Sequence, residues 1–121
     1  MKIHNPRILT MDRAGKIREE LRRKGKTVVM TNGCFDLLHA GHLASLKFAK
    51  DQGDILIVGV NSDASIKRIK GEKRPIVKEK NRMLLLAALE SVDFVVLFNE
   101  DTPYNTIKKI RPDILIKGAD W

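Results

Sequence analysis

Two kinds of apolar run take turns along this chain. Short, nearly continuous runs occur at "TVVMT" (27–31), "DILIVGV" (54–60), "DFVVLF" (93–98) and "DILIK" (113–117). They are rich in Val and Ile, and they predict strands covered on both faces. Between them lie stretches with helical spacing. "TMDRAGKIREELRRKGK" puts Ile17 and Leu21 on one face, offers Thr10 or Asp12 as a cap, and stops at Gly25. "AGHLASLKFAKDQ" repeats through Leu43, Leu46 and Ala49 and ends at Gly53. "SDASIKRIK" predicts a short helix capped by Ser62 or Asp63, and "NRMLLLAALE" one capped near Asn81. "TPYNTIKKI" predicts a helix with Thr102 as cap and Pro103 at its first position. "GEKRPIVKEK" reads as a polar, basic loop. Strands alternating with helices predict an α/β domain, a parallel sheet covered by helices through right-handed crossovers. Ligands in such sheets bind at the carboxyl ends of the strands, near a switch in strand order.

Length and composition narrow the possibilities. A chain of 121 residues with 43% apolar content suits one domain, residues 1–121, with a helical N-terminal segment over 1–26. No run approaches the roughly 18–20 apolar residues of a membrane span. The opening "MKIHNPRILTMDR" has no apolar export segment. Cys34 is the sole cysteine, which excludes an internal disulfide and fits a reducing cytoplasm. The formal charge of +8 favours anionic partners. Aromatic residues make up only 5%, too few for base-stacking platforms. The basic residues are also scattered, so the reading favours a phosphate-bearing small molecule over nucleic acid or membrane. Arg18, Arg22, Arg23 and Lys24 of the first helix read as a solvated face.

The candidate chemistry is concentrated in "TNGCFDLLHAGH", residues 31–42. It follows the first predicted strand and opens the next helix. Gly33 permits a turn or a close ligand approach. The free N–H groups and positive dipole end of a helix starting near Ala40 or Gly41 make a phosphate site. His39 and His42 can lie on one side of the first turn, with Gly41 leaving space between them. Three other readings compete. These are a metal site of His39, His42 and Asp36, a Cys34–His hydrolase, and two histidines that merely cap a helix. Neither G-x-G-x-x-G nor G-x-x-x-x-G-K-[ST] occurs, so a nucleotide site here must use the histidines and basic side chains.

The stretch "GCFDLLHAGH" resembles the G-x-F-D-x-x-H-x-G-H motif of the cytidylyltransferase-like nucleotidyltransferases. The resemblance continues through "LIVGVNSDASIKRIKGEKRPI", "NRMLLLAALESVDFVVLFNEDTP" and "IRPDILIKGADW", and is nearest to the heptose 1-phosphate adenylyltransferase branch. It implies a Rossmann-like three-layer α/β/α fold of the HxGH type. It also implies transfer of AMP from ATP to D-glycero-β-D-manno-heptose 1-phosphate with Mg²⁺, releasing pyrophosphate, for lipopolysaccharide inner-core synthesis. A CTP-dependent enzyme acting on glycerol 3-phosphate is the alternative. By the motif, His39, His42 and Gly41 meet the triphosphate, while Cys34 and Phe35 lie beside the nucleotide. Asp36 takes a structural or Mg²⁺-linked role. Lys70 or Lys73 of the basic loop and Arg82 at the next helix start approach the phosphates. Lys117, Gly118 and Asp120 follow the last strand and face the cleft, and Asp63 caps its helix. Glu90 stands where glycerol-phosphate cytidylyltransferases carry an arginine, which weakens the CTP reading. Relatives continue to a Ser/Thr-rich nucleotide motif with no match here, so the end of the family domain is expected to be missing. Relatives are often dimers, which makes a homodimer possible.

Overall fold

The structure, a computed structural model, describes residues 5–117. Its elements are β1 (Ile8–Leu9), α1 (Met11–Arg23), β2 (Val28–Gly33), α2 (Ala40–Asp51), β3 (Ile55–Asn61), α3 (Asp63–Lys70), α4 (Glu79–Ala87), β4 (Phe94–Phe98), α5 (Tyr104–Ile110) and β5 (Ile114–Ile116). The strands form one parallel sheet in the order β1-β4-β3-β2-β5. Chain order runs outward from β2 through β3 to β4, then returns to β5 on the other side of β2. The switch therefore falls between β2 and β5, where the carboxyl end of β2 delivers Gly33.

Residues on the two faces of each strand build separate cores. Val29, Leu56, Val58, Val60 and Val95 pack with Leu46 and Ala49 of α2 and Leu86 and Ala87 of α4. Val28, Met30, Ile57 and Val96 pack with Ala14 of α1 and Ile110 of α5. That is the expected three-layer arrangement, and it explains why β2 is buried throughout. No helix among the described residues is long and apolar enough to cross a membrane.

An aspartate repeated before three strands fixes the amino ends of the sheet. Asp54, Asp93 and Asp113 each precede a strand. The Asp54 carboxylate accepts from Thr27 N (2.7 Å), that of Asp93 from Leu56 N (2.8 Å) and that of Asp113 from Val28 N (2.8 Å). Each aspartate's own N–H donates to the carbonyl of that same partner residue. "GDILI", "VDFVV" and "PDILI" are thus three copies of one two-point clamp on a neighbouring strand.

Several sequence expectations need correction. The segment 1–26 is not only helical, because Ile8–Leu9 adds a fifth strand beside β4. Arg18 does not lie on a solvated face. It is buried, donates from Nε to Arg111 O (3.1 Å) and pairs with Asp113 (3.2 Å). Helix α4 starts at Glu79 rather than near Asn81, with Lys78 in the cap position and no cap from that side chain. Pro103, not Thr102, holds the cap position of α5. Thr10 and Ser62 cap α1 and α3 as expected, accepting from Arg13 N (3.2 Å) and Ser65 N (3.1 Å).

Candidate active site

Beyond β2 the chain turns sharply. Phe35 sits at φ +50°, unusual for a bulky residue. The turn folds its ring back over Gly33, where an added Cβ would lie 3.1 Å from the ring. Phe35 is buried, and its ring tilts against His42 at 5.6 Å between centroids. A side chain at Gly33 would therefore press on the aromatic ring.

His39 and His42 cap α2 with their rings. Gly41 N donates to His39 Nδ1 (3.0 Å), and His39 N donates to His42 Nδ1 (3.2 Å). This is a reciprocal capping box made from two imidazoles. Their centroids are 4.0 Å apart, with His39 exposed and His42 buried. Because each Nδ1 accepts a backbone hydrogen, the neutral ring must carry its proton on Nε2. Capping and chemistry are therefore compatible, since the cap fixes the tautomer that makes Nε2 a donor. The central glycine has an equally definite reason. A Cβ at Gly41 would lie 2.8 Å from His39 Cε1 and 3.0 Å from Nδ1.

Asp36 fastens the basic loop to this turn. Its carboxylate accepts from Ile76 N (2.8 and 3.1 Å) and Val77 N (2.8 Å), and pairs with Arg74 (2.9 Å). Burial alone would raise this carboxyl. The Val77 and Ile76 N–H groups and the Arg74 guanidinium outweigh it and hold the group below the ordinary carboxylate range. Those contacts give Asp36 a structural role. Among the described residues no group of three or more His, Cys, Asp or Glu could hold a metal ion. Both Nδ1 atoms and the Asp36 carboxylate are engaged by the protein itself.

Arg82 lies beneath the site. Its side chain is fully buried and donates to Val77 O, Cys34 O, Asn61 O and Asp63 Oδ1 at 2.7–2.8 Å. It joins the carboxyl ends of β2 and β3 to the end of the basic loop. The expected approach of Arg82 to the phosphates is thus replaced by a supporting position, because its hydrogen bonds go to the protein. Lys70 and Lys73 are exposed and have no hydrogen-bond or ion-pair partner among the described residues. Lys117 is exposed at the end of β5, in a surface cleft of about 340 Å³ shared with Ala44, Ser45, Phe48 and Ile116. Gly118 and Asp120 lie outside the described residues. Cys34 is partly buried in the turn, and Glu90 is exposed after α4.

The structure thus brings Cys34, Phe35, Asp36, His39, Gly41 and His42 into one strand–turn–helix unit, with Arg82 of α4 bonded to its turn. Sequence reasoning offered histidine capping only as an alternative to a phosphate site, and it missed the reciprocal form of the box, the Asp36 clamp and the burial of Arg82. H-x-G-H carried a signal for the first, while the other two depend on contacts that reach up to 48 residues away in sequence.

Comparison with known proteins agrees with this geometry. Residues 30–121 match the family described as Cytidylyltransferase-like. A "Bifunctional protein HldE" from a Nitratiruptor species is 59% identical over 105 residues, covering 87% of this chain and 23% of that protein. The protein of the same name from Helicobacter pylori (strain G27) is 57% identical over 117 residues, covering 97% and 25%. This chain therefore spans about a quarter of the length of those relatives. The crystal structure of the lipopolysaccharide core biosynthesis protein from Thermoplasma volcanium GSS1 superposes with a TM-score of 0.68 at 40% identity, covering 75% of this chain and 73% of that one. With the family match extending over the turn, the paired histidines and the sheet behind them, the chain belongs to the cytidylyltransferase-like family.

Proposed function

We propose that this chain is a nucleotidyltransferase that moves AMP from ATP to D-glycero-β-D-manno-heptose 1-phosphate, forming ADP-heptose and pyrophosphate for lipopolysaccharide inner-core synthesis. The observation that carries the reading is the imidazole capping box, with two Nε2 donors at the amino end of α2 beside the strand-order switch. Similarity to the HldE proteins and to a lipopolysaccharide core biosynthesis protein supports the sugar-phosphate acceptor.

In this reaction an acceptor phosphate oxygen attacks the α-phosphorus in line. The bond to the bridging oxygen breaks, and pyrophosphate leaves with that electron pair. No covalent enzyme intermediate forms, so the protein acts by positioning and by stabilising charge. His39 and His42 donate from Nε2 to phosphoryl oxygens, aided by the positive end of α2. Lys70, Lys73 and Lys117 add mobile positive charge, and the Cys34–Phe35 backbone borders the nucleotide. Mg²⁺ held by the triphosphate would supply further positive charge at the phosphoryl oxygens.

The test is pyrophosphate release with ATP or CTP, each paired with heptose 1-phosphate or glycerol 3-phosphate. Release with ATP and the heptose phosphate alone is the expected result. Release with CTP and glycerol 3-phosphate would keep the mechanism and overturn the substrates. Silence from every pair would overturn the reading.

A further inference from the structure

We propose that Asp63 and Glu79 are positioning residues for the transfer, because they fix Arg82 and, through it, the backbone turn at Cys34. The inference rests on the nucleotidyltransferase reading and extends it to two residues that act through Arg82. Asp63 opens α3 and Glu79 opens α4, and the two helix starts clasp each other. Asp63 N donates to Glu79 Oε1 and Glu79 N donates to Asp63 Oδ1, both at 2.8 Å. Each carboxylate thus caps the other's helix, which is why α4 needs no cap from Lys78. The same Asp63 Oδ1 receives Arg82 Nη2 at 2.8 Å. Asp63 is thereby the counter-ion of a guanidinium with no solvent exposure.

Arg82 transmits that position in two directions. Nη1 donates to Cys34 O (2.8 Å) and Asn61 O (2.7 Å), closing the gap between the ends of β2 and β3. Nε donates to Val77 O (2.8 Å), next to the loop backbone that Asp36 already holds. With the Cys34 carbonyl fixed from below, the following residue is kept in its positive-φ conformation and the Phe35 ring stays against His42. The chain of contacts runs from the clasp to the guanidinium, to the turn, and then to the imidazole.

The sole cysteine supplies a local probe at the turn itself. In the complete chain, Asp63→Ala should speed alkylation of Cys34 by iodoacetamide by about tenfold through local opening. It should lower kcat by about 10²-fold, with KM for ATP changing much less, as a displaced reactive group does. Asp63→Asn keeps the acceptor oxygen but not the charge of the counter-ion, and should recover part of both effects. Glu79→Ala cuts one strand of the clasp and carries the same test if Asp63→Ala does not fold. A folded Asp63→Ala or Glu79→Ala protein with labelling and kcat within about twofold of the parent, under 0.5 kcal/mol in barrier, overturns the inference. If the parent itself releases no pyrophosphate, the functional reading fails, and the labelling rates alone still decide whether the clasp holds the turn.

Discussion

Gly41→Ala separates the catalytic geometry of the histidine pair from its contribution to stability. The added Cβ would lie 2.8 Å from His39 Cε1 and 3.0 Å from Nδ1. Ordinary contact between such atoms is about 3.5–4.0 Å, so the ring must retreat by roughly 0.7–1 Å. The clash is with the end of a side chain on the surface, so rotation relieves it cheaply. Retreat weakens the Gly41 N–H cap, at a cost of about 1 kcal/mol. Replacing a helical glycine with alanine returns about 0.5–1 kcal/mol. The two nearly cancel, and the melting temperature should hardly move. Turnover responds differently, since displacing a reacting group by about 1 Å costs about 10²-fold. The assay is steady-state pyrophosphate release at saturating ATP and acceptor, with thermal melting on the same samples. Turnover within about twofold of the parent, with the fold intact, would refute the claim that the His39 ring position matters to the reaction.

Other perturbations test separate parts of the account. His42→Ala should lower kcat by about 10²–10³-fold in a folded protein, as loss of an aligned donor does; near-normal turnover in the same pyrophosphate assay would contradict it. Arg82→Ala strands Asp63 and three carbonyls and should cost about 3–5 kcal/mol, read from the urea midpoint; a loss under about 1 kcal/mol would show that the buried guanidinium is replaceable. Asp36→Asn should free the loop over 74–77, giving faster proteolysis there and a lower kcat. Asp113 tests the sheet clamp by pH. The Val28 N–H, opposed in part by burial and aided by Arg18, holds its carboxyl below the ordinary value of 3.8. A carboxyl depressed in the folded state contributes stability above its unfolded pKa and loses it as pH falls through the folded value. The stability gap between the parent and Asp113→Asn should therefore close on acidification below about pH 4; a gap unchanged down to about pH 2 would disprove the clamp.

The sequence exposed features whose cause is local and concealed those whose cause is distant. The runs at β2, β3 and β4 are legible because strands buried on both faces must be apolar throughout. Thr10 and Gly25 mark the ends of α1, the latter at φ +71°, because capping chemistry lies within a few residues. "GCFDLLHAGH" is legible as a strand–turn–helix site for the same reason. By contrast, β1 is two residues long and has no periodicity to read. The start of α4 escapes a local reading because its cap is Asp63, sixteen residues upstream on another helix. Arg18 reads as a surface charge and Arg82 as a phosphate contact in the sequence, and the burial of both follows from carbonyls and carboxylates supplied by other elements. The three aspartate clamps are printed in the chain as Asp before an apolar run. Their meaning requires knowing which strands are neighbours.

The most direct measurement follows the α-phosphorus itself. ATP labelled at that position would be incubated with heptose 1-phosphate, Mg²⁺ and the complete chain, and the products separated. The account predicts label in a nucleoside-diphosphate sugar, formed one for one with pyrophosphate and abolished with the acceptor omitted. Label recovered as free AMP, or left in ATP by a folded protein, would contradict transfer to a sugar phosphate at this site.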